Sequence, residues 1–101
     1  MSHVCPIQEV IETISKKWVL HIFKSLTTGI DTFSGFQKGI PGINSRILSE
    51  RLVELEKHGL IERKIVSERP VKIKYFPTYK CDELVKEFDH MEALIRGWDK
   101  K

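Results

Sequence analysis

The residues of this chain best suited to chemistry with an outside partner fall in one short run. Residues 41–64, PGINSRILSERLVELEKHGLIERK, open with a Pro-Gly turn and then set Asn44, Ser45, Arg46, Ser49, Glu50 and Arg51 on or near the start of a helical pattern. Short hydroxyl and amide side chains let such a surface come close to whatever it touches. The first turn of a helix carries free N–H groups and positive dipole character, which suit a phosphate oxygen. Arg46 has the planar fork that matches guanine O6 and N7, a pairing worth about 1–3 kcal/mol of base discrimination. Glu50 offers acceptors for a cytosine amino group, or is simply solvated. Arg51 lies nearer the core edge and either reaches outward or pairs with Glu54 or Glu50.

The charge that follows points the same way. Residues 57–80 hold seven Lys or Arg side chains against Glu62 and Glu68, whereas residues 81–101 hold four basic and six acidic ones. Within the basic block, Arg63, Lys64, Arg69, Lys72 and Lys74 are candidates for salt-sensitive phosphate contacts. A basic block beside an acidic tail indicates an anionic partner at one end of the molecule; the plain alternative is a solvated charged surface.

Other chemistries find little support. Cys5 and Cys81 are too few for a disulfide framework and lack zinc-type spacing. Cys5, before Pro6 near the terminus, is either an exposed, oxidisable thiol or a small packed apolar residue. Cys81 is expected to pack into the final helix. His3, His21, His58 and His90 show no ligand spacing, so neither a metal nor a cofactor is expected. No Gly-rich phosphate loop or nucleophile–base signature indicates an enzyme. The opening MSHVCPIQEV has no basic and apolar leader pattern, and no apolar run approaches the roughly 20 residues of a membrane span, so the expected location is the cytoplasm.

These side chains need a scaffold, and the hydrophobic spacing supplies one. The 101 residues suffice for one domain with a modest core. Ile7, Val10, Ile11, Ile14 and Trp18 follow helical spacing, and Val19, Ile22, Phe23 and Leu26 repeat it after a possible break at Ser15-Lys16-Lys17. The N-terminal third is therefore one bent helix or two short ones, closed at Gly29. Phe33 sits in a short extended stretch, and Ser34 can cap a short helix that turns Phe36 and Ile40 inward. Asn44 caps the next helix, which stops near Gly59 with Leu48, Leu52 and Leu55 on one face and Arg46, Ser49, Glu50, Val53 and Lys57 on the other. Residues 60–66 and 71–75 read as a hairpin around the turn SERP (67–70), with Val71, Ile73 and Tyr75 alternating against Lys72 and Lys74. From Cys81 onward, Leu84, Val85, Phe88, Met91, Leu94, Ile95 and Trp98 form a wide apolar stripe, to be packed on the N-terminal helices or on another copy of the chain.

Helix, short helix, Pro-Gly turn, helix and basic hairpin is the layout of a winged helix-turn-helix, whose second motif helix enters the major groove. The chain resembles the HxlR family of small winged-helix transcriptional regulators over nearly its whole length. Carrying the likeness are Cys5-Pro6, Lys17-Trp18, Phe33, IPGIN (40–44), LSERLVELEKHGLIER (48–63) and the run Pro70, Lys72, Ile73, Tyr75 and Thr78. The expected fold is mainly α with a small β-hairpin, a single winged helix-turn-helix domain over 1–101 with N- and C-terminal dimerisation helices. Its motif covers about 33–58, its wing about 60–77 and its C-terminal dimerisation helix about 81–99.

The resemblance implies a homodimer on a pseudo-palindromic operator in double-stranded DNA. Leu84, Phe88, Met91, Leu94, Ile95 and Trp98 would then supply the interface, and Cys5 would sense oxidants or electrophiles, as in some members. Three positions depart from the family pattern: Lys74 stands where an acidic residue is common, Pro77 replaces an aliphatic and should end the strand early, and Val53 lies on the display face. The other functions open to this sequence are a winged-helix protein-docking module and a non-specific architectural DNA binder.

Overall fold

Seven elements follow one another in the order α1 (Pro6–Ile14), α2 (Val19–Thr27), α3 (Phe33–Gly39), α4 (Ser45–Lys57), β1 (Ile61–Glu68), β2 (Val71–Pro77) and α5 (Tyr79–Trp98). This is a computed structural model, and it describes residues 6–98. Cys5 lies outside the described residues.

The apolar pattern of the N-terminal third resolves into two helices. They break at Ser15–Trp18, where Trp18 adopts a left-handed φ of 84°. Trp18 therefore sits in the junction, not on the face of the first helix. Val19, Ile22 and Phe23 of α2 are wholly buried and form the centre of the core with Phe36, Leu48 and Leu55. Burying side chains of this size contributes about 1.5–3 kcal/mol each.

Helix α3 begins one residue before the expected cap. Thr32, not Ser34, is its N-cap, with the threonine hydroxyl accepting from Gly35 N at 3.1 Å. Phe33 is accordingly helical rather than extended. Both residue types can cap; because the helix already begins at Phe33, it is the Thr32 hydroxyl that meets a free N–H of the first turn, and Phe36 and Ile40 are buried as expected. Helix α4 starts where expected: Asn44 Oδ1 accepts from Ile47 N at 2.8 Å. It ends at Gly59 (φ 72°), with Leu60 N donating to Leu55 O and Gly59 N to Glu56 O, both at 3.0 Å. That pair of bonds is a Schellman closure, and Leu55 and Leu60 bury the hydrophobic contact that accompanies it.

The hairpin is longer than its sequence pattern indicates. Its antiparallel strands pair from Ile61↔Pro77 to Glu68↔Val71, leaving Arg69 and Pro70 as the connection in place of SERP. Pro77 does not end β2 early: it is the last paired residue, a position where a missing N–H is tolerated. A register shift between Ile65 and Ser67 makes Val66 the extra residue of a bulge. Tyr75 docks the hairpin on the body, donating its N–H to Asp31 O at 2.8 Å and setting its ring edge-on to Phe36. Val71, on the same face nearer the tip, remains exposed.

Helix α5 starts at Tyr79, two residues before the expected Cys81. Thr78 N donates to Leu60 O at 3.1 Å and its hydroxyl to Gly59 O at 2.7 Å, fixing the helix origin against the end of α4. No described helix is long and apolar enough to cross a membrane.

Candidate nucleic-acid interface

The inner face of α4 is anchored by Leu48, Leu52 and Leu55, so the geometry of a helix leaves Ser45, Arg46, Ser49, Glu50 and Val53 exposed on the other side. The Arg46 side chain is 84% exposed, with Nε 3.9 Å from Glu50 Oε1. A surface pair at that distance leaves the guanidinium available. Asn44 is exposed, and because its side-chain oxygen caps the helix, its amide NH2 takes no part in the cap.

Arg51 behaves differently. Its side chain is 16% exposed; Nε donates to Lys17 O at 3.1 Å and Nη1 meets Glu54 Oε1 at 3.2 Å. Glu54 also pairs with Lys16. Burial pushes the Glu54 carboxyl up, but the Lys16 ammonium and the Arg51 guanidinium more than offset this and hold it below the ordinary carboxylate value. The sequence offered Glu54 as a partner for Arg51. It gave no signal for Lys16, which reaches Glu54 across 38 positions.

The turn before α4 is braced from the same side. Gly42 has a φ of 88°, and a Cβ there would lie 3.5 Å from Cη2 of Trp18. Glycine is needed for the left-handed backbone; the ring itself would meet an added Cβ at ordinary van der Waals distance.

Basic side chains line the adjacent hairpin. Arg63, Lys64, Arg69 and Lys72 are exposed. Lys64 and Lys74 face each other across the strands, a like-charge pairing relieved in two ways. Lys74 Nζ turns to Asp31 Oδ2 at 3.5 Å, while Lys64 Nζ lies 5.4 Å from the centroid of the Phe76 ring. No ion pair engages Arg63, Arg69 or Lys72 among the described residues. A groove between α4 and the hairpin is lined by Ser49, Val53, Glu56, Arg63 and Tyr75. No cluster of His, Cys, Asp and Glu suited to a metal occurs among the described residues.

The apolar stripe of α5 divides in two. Leu84, Val85 and Phe88 pack against the core of their own chain, with the Phe88 ring 6.3 Å from that of Phe23. Met91, Leu94, Ile95 and Trp98 are exposed, as are Ile7 and Ile11 of α1. Cys81 is fully buried, and burial, followed by the neighbouring Asp82 charge, pushes its thiol up to about 12.

Known proteins share both this sequence and this architecture. Residues 13–101 match the model of the HxlR-like helix-turn-helix family. The HTH-type transcriptional regulator YvaP of Bacillus subtilis is 39% identical over 98 residues, covering 96% of this chain and 91% of its own. The B. subtilis regulator YodB is 34% identical over 91 residues, 89% of this chain and 81% of its own. Its reduced form superposes with a TM-score of 0.77 at 35% identity, over 90% of each chain. An HxlR-family factor from Thermoplasma volcanium gives 0.77 at 27% identity, over 97% of this chain and 88% of that one. The chain belongs to the HxlR-like family of winged helix-turn-helix, DNA-binding transcriptional regulators.

Proposed function

We propose that the protein acts as a homodimer on an inverted-repeat operator, each protomer laying α4 in the major groove and its hairpin along the flanking backbone. The observation that carries this reading is the exposed face Ser45, Arg46, Ser49 and Glu50, opening from the Pro41-Gly42 turn beside Arg63, Arg69 and Lys72. Asn44, Ser45, Arg46, Ser49 and Glu50 read or position the duplex. The hairpin cations Arg63, Lys64, Arg69 and Lys72 supply the salt-dependent attraction, with a smaller share from the partnered Lys74. Arg51 serves this surface from behind. Exposed Met91, Leu94, Ile95 and Trp98 pair the protomers, while Leu84 and Phe88 hold α5 on its own body at the edge of that interface. Contiguous apolar surface of this kind on a small domain favours a partner of like chemistry.

Selection of genomic fragments by the purified protein at about 150 mM salt, where non-specific binding is weakened, tests the reading. Recovery of an inverted repeat with half-sites about one helical turn apart supports it. Retention without a common sequence would make the protein architectural, and failure to retain DNA would favour a protein-docking module.

Cys5 gives this regulator its response to oxidants or electrophiles. Its relative YodB has been solved in reduced, diamide-treated and quinone-bound forms. Cys81 is a poor candidate for the same role, since a buried thiol with a pKa near 12 forms little thiolate at neutral pH. Mild oxidant should change DNA affinity in the wild type and not in Cys5→Ser; an equal response in both would remove Cys5 from the mechanism.

A further inference from the structure

Three consecutive residues of the α1–α2 junction reach the unit that faces DNA. The Lys16 ammonium pairs with Glu54 of α4, the Lys17 carbonyl accepts from Arg51 Nε at 3.1 Å, and the Trp18 ring lies against Gly42 in the turn that feeds α4. Arg51 and Glu54 are joined to each other at 3.2 Å, so the contacts form one connected set. The junction is itself pinned, with Ser15 Oγ donating to Ile11 O at 2.7 Å, Lys16 N to Thr13 O at 3.2 Å and Val19 N to Lys16 O at 3.3 Å. Trp18 holds a left-handed backbone that costs a non-glycine residue on the order of 1 kcal/mol and persists only where its surroundings over-determine it.

The leucine face of α4 decides which side of the helix is buried but directs its roll weakly, because apolar contact is non-directional. Charged hydrogen bonds midway along the helix and a ring at its leading turn supply the missing direction. We propose that Lys16, Arg51 and Glu54 are positioning residues that clamp α4 to the α1–α2 junction, fixing its roll and tilt and hence its discrimination between DNA sequences. The proposal rests on the reading of α4 as the DNA-reading helix. It makes the junction a mechanical link through which a displacement of α1 is passed to α4 by residues 16–18, beside the core contact of Ile14.

The test combines two readouts on the full chain. Residual dipolar couplings report the orientation of α4 relative to α2 without DNA, and fluorescence anisotropy gives the ratio of affinities for selected and random duplexes. Lys16→Met and Glu54→Gln should each rotate or broaden the α4 couplings and lower the affinity ratio about threefold to tenfold, the range expected for residues along a coupling network. Lys16→Arg should restore both readouts, since a guanidinium can also meet Glu54. Unchanged α4 couplings in both variants, or Lys16→Arg as disturbed as Lys16→Met, would overturn the clamp. A wild type that does not distinguish selected from random duplex would sink the regulatory reading, while the couplings still decide the clamp.

Discussion

Phe88 is the last apolar side chain of α5 packed on the core of its own chain: its ring lies 6.3 Å from that of Phe23, and the apolar residues beyond it, Met91, Leu94, Ile95 and Trp98, are exposed. One helix thus carries two kinds of apolar side chain, distinguished by what covers them. Phe88→Ala should lower stability by about 2–3 kcal/mol, below the usual cost of a Phe deletion because the site is only partly buried. Leu94→Arg should leave secondary structure intact and yield monomers in analytical ultracentrifugation. A stable dimer in Leu94→Arg would locate the self-association elsewhere.

Arg46 and Lys72 should fail differently when truncated. Arg46→Ala is expected to lose about 1–3 kcal/mol of discrimination at one base pair of the half-site. Lys72→Ala should weaken all duplexes alike and reduce the salt slope by about one. Competition binding against a library of half-site variants, repeated at several salt concentrations, measures both effects.

The two ends of α4 make separable contributions to stability. Asn44→Ala removes the cap on Ile47 N and should cost about 1 kcal/mol. Gly42→Ala, at φ 88°, should cost about 1–2 kcal/mol from backbone strain. Denaturant melts with an unchanged m-value would report these losses. A neutral Gly42→Ala would mean that the turn can relax to negative φ.

Two titrations bear on stability with opposite signs. Glu54 is held below its ordinary value, so its ionised form stabilises the fold above the unfolded pKa near 4.5, and that contribution is lost as pH falls through the lower folded value. Glu54→Gln should therefore flatten the acid limb of the stability profile. Cys81 stays protonated in the fold up to about 12 against an ordinary 9.0, so stability should decline as pH rises above about 9, where only the unfolded chain ionises.

The same burial makes Cys81 inert. Iodoacetamide at pH 8 should leave it unmodified in the native protein and alkylate it once denaturant is added, as mass spectrometry of the tryptic peptides would show. Native alkylation of Cys81 at the denatured rate would indicate that α5 opens.

The amino-acid sequence by itself determined the order and type of the elements, the Asn44 cap, the Gly59 stop and the division of α4 into a leucine face and a polar face. Each of these is a local preference repeated at helical or strand spacing, and such signals are written in neighbouring residues. Tertiary structure decided what depends on partners distant in the chain. Thr32 displaced Ser34 as the cap, its hydroxyl accepting from Gly35 N, and Pro77 stayed in its strand because Ile61 paired with it. Lys74 was drawn to Asp31, and Arg51, which the sequence left open between reaching outward and pairing, was committed to Lys17 and Glu54. A charged side chain reads alike in sequence whether it is solvated or paired. Only the folded chain brings Lys16 to Glu54 and Trp18 to Gly42, contacts between residues too far apart in the chain for any local pattern to announce.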